Sequence, residues 1–196
     1  MEKYINNLNS WSQENYVKAY KFAAQAHQGQ KYPGTDISYI MHLSFVSMEI
    51  MAALGAETDC NGDLAIQCAI LHDTIEDTSI TFEEIKTEFG VSVANGVLAL
   101  TKDSALERSV QMSDSLRRIK EQPAEIWMVK LADRISNLQT PPLYWNNQKI
   151  SRYREEAIAI YDALKDASPF LASRLASKIA NYKMFIRESA SGLKVD

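Results

Sequence analysis

Residues 64–77 have the sequence LAIQCAILHDTIED, and this stretch decides the fold. Its first eight residues are mostly apolar without strict alternation, which predicts a buried helix. His72, Asp73, Glu76 and Asp77 then follow within six residues. Buried carboxylates need partners or a metal ion, and at a helix end neighbouring side chains can reach one ion. From the His-Asp dipeptide alone, the ordinary explanation is a core histidine bonded to Asp73, with Glu76 and Asp77 capping a helix.

The rest of the chain has helical periodicity, with few glycines and almost no alternating strand pattern. Asn61 is placed to cap one helix, Thr81 and Glu84 form a capping-box pattern, and Pro123 suits a first helical turn. We therefore predict an all-α bundle of about nine helices, with a frayed tail after Glu188. The predicted helices cover residues 16–27, 42–54, 61–72, 81–89, 91–100, 105–121, 123–137, 147–165 and 168–187.

Length and composition are typical of a globular protein: 196 residues, 46% hydrophobic and 23% charged. We expect one domain over residues 1–196, with its motifs in about 16–165. The longest apolar stretch, residues 45–56, is too short to span a bilayer, and no signal peptide is visible. Cys60 and Cys68 show no metal-binding spacing. These features predict reduced cysteines and a cytoplasmic protein.

The charge balance argues against nucleic-acid partners. The net charge is −4, from 21 Lys+Arg and 25 Asp+Glu, and no long basic run could neutralise a phosphate backbone. A few cations can still face a pocket, so a small phosphorylated ligand is compatible with this balance. No membrane partner is expected, and the sequence does not indicate an oligomeric state.

A second apolar segment, VKLADRISN at residues 129–137, also carries charge. Lys130, Asp133 (or Arg134) and Asn137 recur at helical spacing and share one face. Such a polar stripe is often solvated surface. Here its apolar neighbours favour a stripe that lines a cavity.

Three motifs together resemble the hydrolase domain of the Rel/Spo homologues: YIMH at 39–42, HDTIEDT at 72–78 and KLADRISN at 130–137. FEEI at 82–85, FG at 89–90 and LTK at 100–102 also match that pattern. Those HD-superfamily enzymes remove pyrophosphate from the 3′ position of guanosine alarmones. The resemblance covers about residues 16–165 and implies an all-α HD-domain helical bundle. Because no synthetase segment follows by residue 196, we expect a stand-alone small alarmone hydrolase acting on a small nucleotide.

The resemblance also implies roles for individual residues. It implies a divalent metal ion, usually Mn²⁺, held by four ligands: His42, His72, Asp73 and Asp133. It makes Glu76 and Asp77 the catalytic acids, and Glu76 is expected to take the proton of a metal-activated water. Asp77 could instead belong to a turn before the next helix. His27 lies in the stretch AHQGQ, which also matches the family pattern, and is interpreted as a helix-end or pocket-wall residue rather than a ligand.

The substrate contacts depart from the family pattern. Tyr32 stands where an arginine is usual, Ser38 replaces the proline before the YIMH motif, and Leu43 replaces the proline after it. For Lys149 and Tyr153, which are spaced i, i+4, the exposed face of an amphipathic helix is an equally good explanation. The candidate substrate-binding residues are Lys31, Tyr32, Lys130, Arg134, Asn137, Lys149 and Tyr153.

These residues are compatible with three functions. The first is removal of the 3′-pyrophosphate from a guanosine or adenosine alarmone. The second is metal-dependent phosphate hydrolysis of another nucleotide, such as NADPH or a nucleoside phosphate. The third is a helical module that senses nucleotides without cleaving them, which the presence of all expected ligands and both acids disfavours.

Overall fold

The computed structural model describes residues 11–186. Its helices are α1 (Gln13–Ala26), α2 (Ile40–Leu54), α3 (Gly62–Leu71), α4 (Thr74–Asp77), α5 (Phe82–Phe89), α6 (Val91–Leu100), α7 (Arg108–Lys120), α8 (Ala124–Asn137), α9 (Asn147–Leu164) and α10 (Pro169–Tyr182). Two short 3₁₀ turns, Lys165–Ala167 and Lys183–Phe185, follow α9 and α10.

The prediction of an all-α protein is confirmed. The nine predicted helices are present, and within residues 11–186 the only extended pairing is a single bridge between Lys31 and Ser38. The four-residue helix α4 was not predicted as a separate element. The last helix ends at Tyr182, whereas position 187 and the predicted frayed tail lie outside the described residues.

Two helix starts differ from the prediction. Helix α7 begins at Arg108 rather than near 105, because the Asp103 side chain accepts a hydrogen bond from the Ala105 N–H and forms a turn. Pro123 is the N-cap of α8 rather than a residue of its first turn, with an extended ψ of 156°.

Five of the ten α-helices in the described residues begin at a side chain that caps the first turn. Asn61 accepts a hydrogen bond from the Leu64 N–H, and Thr81 and Glu84 form the complete capping box. Ser12, Asn146 and Ser168 cap α1, α9 and α10 in the same way.

Helix α3 lies at the centre of the bundle and packs against α1, α2 and α8, while α8 also contacts α9 and α10. Ile66, Ile70, Met128 and Leu131 are fully buried where α3 and α8 lie in the core. This packing brings the end of α3, the start of α2 and the middle of α8 together, and these are the segments that carry the predicted metal ligands.

The chain breaks its helix immediately after Leu71. His72 and Asp73 lie between α3 and α4, and Asp73 is the N-cap of α4. Consecutive residues inside a helix point about 100° apart. The break lets both side chains turn to one point, where His72 Nε2 lies 2.9 Å from Asp73 Oδ2.

Within residues 11–186, every helix is too short or too polar to cross a membrane. No disulfide joins Cys60 and Cys68 in the described part of the chain.

Gly96 on α6 packs directly against the core. A Cβ at this position would lie 2.5 Å from Ile126 Cδ1 and 2.8 Å from Cys68 Sγ, and both neighbours are fully buried. We expect Gly96→Ala to lower the free energy of unfolding by about 1–3 kcal/mol, as overpacking does. In an uncrowded helix the same change would stabilise by roughly 0.5–1 kcal/mol. Urea denaturation of the wild type and of Gly96→Ala measures the change in the free energy of unfolding.

Gly55→Ala is the matched control, because its nearest contact would be an ordinary 3.5 Å from the Ala52 carbonyl oxygen. Its effect should stay within about 0.5 kcal/mol or be slightly favourable. A stabilising Gly96→Ala would contradict the packing described here.

Candidate active site

Four side chains from three segments converge in the core. His42 Nε2 lies 3.2 Å from His72 Nε2, and both nitrogens face carboxylate oxygens of Asp73 and Asp133. The distances from these nitrogens to the carboxylate oxygens range from 2.9 to 3.9 Å. Two ligand atoms on one ion, each about 2.1 Å from it, lie at most about 4.2 Å apart. The cluster therefore has the dimensions of a metal site.

The ligands are themselves held in place by neighbouring groups. His72 Nδ1 donates to the Ala69 carbonyl oxygen at 2.9 Å, and His42 Nδ1 lies 3.1 Å from Ser136 Oγ. Contacts of this kind fix the ring orientation, so that Nε2 of each imidazole faces the cluster.

The two carboxylates have partners as well. The Tyr39 hydroxyl donates to Asp73 Oδ2 at 2.5 Å. Lys130 Nζ lies 3.0 Å from Asp133 Oδ2, and the Asn137 amide donates to Asp133 Oδ1. This confirms that Lys130, Asp133 and Asn137 share one face of α8, and the face is buried rather than solvated.

The electrostatics keep the carboxylates ionised. Burial opposes their charge, but Lys130 and the two imidazoles hold the pKa of Asp133 well below its usual range. For Asp73, burial is outweighed by His72 and His42, and its pKa is likewise low. Burial also lowers the pKa of His42, yet Asp133 and Asp73 outweigh it and raise that pKa to about 9.

This donor set fits a divalent cation. Two imidazole nitrogens and two carboxylates form a mixed nitrogen and oxygen set, and the negative charge they carry needs a positive partner in an apolar core. Among the described residues, His42, His72 and Asp133 form a group whose ligand atoms all lie within 4.8 Å of one another. Asp73 lies beside this group, with Oδ2 at 2.9 Å from His72 Nε2 and 3.5 Å from His42 Nε2.

A charged cavity of about 220 Å³ opens beside the cluster, bounded partly by Asp73, Asp77, Asp133 and Arg134. Glu76 also lines it, but Lys102 occupies both of its carboxylate oxygens: Nζ lies 2.7 Å from Oε1, and the backbone N–H donates to Oε2 at 2.9 Å. Asp77 uses Oδ2 to accept a hydrogen bond from the Gln30 amide at 3.1 Å.

Arg134 has donors to spare at this cavity. It is 5% exposed, and its guanidinium stacks on the Tyr153 ring at 4.4 Å. Nη2 lies 3.6 Å from Glu156, while Nε and Nη1 are buried without a hydrogen-bond partner among the described residues. Lys102 and Lys130 are each paired with a carboxylate, so Arg134 is the cation best able to receive an anion.

An aromatic cavity of about 250 Å³ adjoins the charged one, and Tyr39, Asn137 and Tyr153 line both. The described residues that line it carry no formal charge, and several are aromatic. Its lining consists of Tyr32, Pro33, Gly34, Thr35, Tyr39, Asn137, Gln139, Thr140, Pro141, Pro142, Trp145, Tyr153 and Tyr182.

The structure brings most of the predicted site residues together. The predicted residues that reach one of the two cavities or the ligand cluster are His42, His72, Asp73, Asp133, Glu76, Asp77, Tyr32, Lys130, Arg134, Asn137 and Tyr153. Lys31 and Lys149 are exposed and do not line either cavity in the described structure. Lys149 Nζ instead lies over the Trp145 ring at 4.2 Å.

Sequence reasoning assigned no site role to several residues that the structure places here. Tyr39 and Lys102 lie inside recognised motifs, but nothing in their spacing indicated which acid each would hold. Ser136 follows Asp133 by three residues, so helical spacing could have marked it. Trp145 belongs to the loop before α9, where periodicity gives no signal.

Comparison with known proteins places the fold in a family. Residues 19–170, most of the chain, match the HD domain family. The chain belongs to the HD domain family. Together with the buried histidine and aspartate cluster, membership in the HD domain family indicates a divalent metal ion.

Relatives of similar length carry one enzymatic name. The guanosine-3′,5′-bis(diphosphate) 3′-pyrophosphohydrolase MESH1 of Danio rerio is 30% identical over 173 residues, which cover 86% of this chain and 94% of the relative. MESH1 of Xenopus tropicalis is 31% identical over 164 residues, covering 81% of this chain and 89% of the relative.

A solved structure has the same architecture. It is a metazoan ortholog of SpoT that hydrolyzes ppGpp and plays a role in starvation responses. The TM-score is 0.76 with 24% sequence identity, and the match covers 88% of this chain and 97% of the other. At this level of identity the likeness establishes the fold.

The Tyr39 hydroxyl should contribute to metal affinity through Asp73. We expect Tyr39→Phe to weaken Mn²⁺ binding about 10–100-fold, because a carboxylate that loses its outer hydrogen bond holds the ion less well. Isothermal titration calorimetry measures this. Tyr20→Phe is the control, since the Tyr20 hydroxyl lies 3.0 Å from Ser44 Oγ, outside the cluster. Equal Mn²⁺ affinity in Tyr39→Phe and wild type would contradict the role given to Tyr39.

Proposed function

We propose that this chain is a Mn²⁺-dependent hydrolase that removes the 3′-pyrophosphate of guanosine or adenosine tetra- and pentaphosphate alarmones. The observation that carries the proposal is the adjacency of three parts: the ligand cluster, an arginine with two unused hydrogen-bond donors, and an uncharged aromatic cavity. An alarmone has a matching order of parts, with its 3′-pyrophosphate beside a planar nucleoside. The names of the relatives of similar length support the same substrate class.

His42, His72, Asp73 and Asp133 would hold the ion. When bound, a divalent cation lowers the pKa of water and stabilises charge on a phosphate. In the reaction a water oxygen bonds to the 3′-phosphorus and the bond from that phosphorus to O3′ breaks. The products are the nucleoside 5′-diphosphate, or 5′-triphosphate, and pyrophosphate.

We propose that Asp77, rather than Glu76 as expected from the sequence, accepts the proton of the attacking water. Glu76 has both oxygens engaged by Lys102, so its part is to fix that cation and its loop at the cavity wall. Burial and the charge of Asp73 raise the pKa of Asp77 above its ordinary value, which makes its carboxylate a better proton acceptor.

Arg134 is proposed to bind the pyrophosphate. The unused Nε and Nη1 donors of its guanidinium can each donate a charge-assisted hydrogen bond to a phosphate oxygen. Stacking on Tyr153 already fixes the plane of the guanidinium, so little further ordering is required when the anion binds.

The nucleoside is proposed to occupy the aromatic cavity, with Asn137 at its border to the charged cavity. Tyr32 supplies a stacking surface and a hydroxyl in place of the usual arginine. Burial and the charge of Asp133 raise the pKa of Tyr32, so its phenol stays a hydrogen-bond donor. Lys31, next to Tyr32, and Lys149, stacked on Trp145, remain our candidates for contacts to the exposed 5′-phosphates.

The test is product analysis on the full chain, stripped of metal and then supplied with Mn²⁺ or Mg²⁺. Guanosine 3′,5′-bis(diphosphate), its adenosine analogue and NADPH are offered separately. We expect pyrophosphate and a nucleoside diphosphate from the alarmones, with faster turnover in Mn²⁺. Asp73→Ala is the control and should lose metal binding and turnover together.

Two results would overturn the proposal. Orthophosphate from NADPH, with both alarmones intact, would reassign the protein to phosphate removal from another nucleotide. Tight Mn²⁺ binding without turnover of any substrate would favour a nucleotide sensor. A cytoplasmic location is part of the proposal and is tested by fractionation of cells that express the chain.

The two catalytic acids can be separated by substitution. We expect Asp77→Asn to lower kcat about 10²–10⁴-fold, the usual contribution of a positioned general base. Glu76→Gln should lower kcat less than about tenfold, because the amide oxygen can still accept the Lys102 backbone N–H. Mn²⁺ affinity should be unchanged in both variants. A larger loss of kcat in Glu76→Gln than in Asp77→Asn would show that Glu76, not Asp77, accepts the proton.

A further inference from the structure

His27 is a buried histidine outside the ligand cluster. It is 1% exposed and ends α1, and its Nδ1 lies 2.6 Å from the Gln30 side-chain oxygen. Gln30 Nε2 in turn donates to Asp77 Oδ2 at 3.1 Å. A continuous path of hydrogen bonds therefore leads from the core to the acid that lines the charged cavity.

The direction of this path follows from the chemistry of its ends. An ionised carboxylate only accepts hydrogen bonds, so the Gln30 amide must turn its NH₂ toward Asp77 and its oxygen toward His27. His27 must then carry its hydrogen on Nδ1. The opposite tautomer would set two acceptors 2.6 Å apart and would bury an N–H at Nε2, which has no partner among the described residues.

The His27 imidazole also contacts Tyr39, the residue whose hydroxyl holds Asp73. The His27 ring stacks on the Tyr39 ring, with centroids 5.0 Å apart and an angle of 29° between the planes. Tyr39 donates to Asp73. His27 thus reaches Asp77 through a hydrogen bond and Asp73 through packing, and the two routes can be separated by substitution.

We propose that His27 is a positioning residue for the reaction: its Nδ1–H orients the Gln30 amide, and Gln30 holds Asp77 where it accepts the proton of the attacking water. This inference rests on the proposed function for its kinetic consequence. Its structural content, the Nδ1–H tautomer and the bond to Gln30, does not depend on the substrate.

The first measurement is the tautomer of His27 by ¹⁵N NMR of the full chain, labelled at histidine and loaded with diamagnetic Zn²⁺. The resonances are assigned to His27 by their absence in His27→Phe. We expect hydrogen on Nδ1 in the wild type and loss of that preference in Gln30→Leu, because the acceptor is gone. Hydrogen on Nε2 with a bare Nδ1 in the wild type would overturn the proposal, whatever the substrate is.

The second measurement is a double-mutant cycle of His27→Phe, Gln30→Leu and the pair, in the Mn²⁺-loaded protein. Phenylalanine keeps the ring that stacks on Tyr39 but removes the Nδ1 hydrogen. We expect each single variant to lower kcat about tenfold, the upper range for one neutral hydrogen bond. The pair should lose no more than either single change, because both act on one path. KM and Mn²⁺ affinity should stay near wild type.

Gln28→Leu is the matched control, since Gln28 is exposed on the same loop. Three results would each overturn the proposal. They are an unchanged kcat in His27→Phe, losses in kcat that multiply in the double variant, and a loss of Mn²⁺ affinity large enough to account for the lost turnover. If His27→Phe does not fold, the His27 resonances are assigned as those that Zn²⁺ addition leaves in place, because His42 and His72 are the other two histidines of the chain. The wild-type tautomer and Gln30→Leu then still decide the proposal. Failure of the proposed function is distinct: the wild type would then cleave no alarmone, although the tautomer measurement would stand.

Discussion

The structure depends on keeping two carboxylates charged inside an apolar bundle. Asp73 and Asp133 are held between two imidazoles, a lysine, a tyrosine hydroxyl and an amide. These partners come from α2, α8, the residue that follows α3 and the loop before α2. Without such partners a buried carboxylate takes up a proton or forces the core open. The packing of α3 against α2 and α8 is therefore inseparable from the chemistry that the cluster performs.

Around that cluster the chain separates two kinds of recognition. The charged cavity contains paired lysines and one arginine with unused donors, and this combination suits phosphate groups. The aromatic cavity offers flat apolar surfaces and neutral hydrogen-bonding groups, which suit a nucleoside. The three cations that line the charged cavity, Lys102, Lys130 and Arg134, lie beside the ligand cluster, where a phosphorus–oxygen bond would break.

Much of this arrangement could be predicted from the sequence, because it is carried by periodic or contiguous residues. The helices follow from apolar spacing and caps, and the polar face of α8 follows from residues 130, 133 and 137. The pairing of Lys102 with Glu76 could not be predicted, since a loop residue has no periodicity and the partner lies 26 positions away. The positions of Lys31 and Lys149 were equally unpredictable, because an exposed lysine in a loop or on a helix face can point to solvent as easily as to a cavity.

The end of the third helix near His72 was predicted, but the short helix α4 that follows at Thr74–Asp77 was not, because four residues are too few to show helical periodicity. His72 and Asp73 both keep backbone angles in the helical region, so their side chains converge without an unusual backbone conformation.

The wall shared by the two cavities limits how the protein can evolve new preferences. Tyr39, Asn137 and Tyr153 each face both sides, so a change that adapts them to a different base also disturbs the metal ligands or the arginine behind them. Thr35, Gln139 and Thr140 border only the aromatic cavity. Divergence in base preference should therefore accumulate at these outer positions, and they are where a designer would begin a selectivity library.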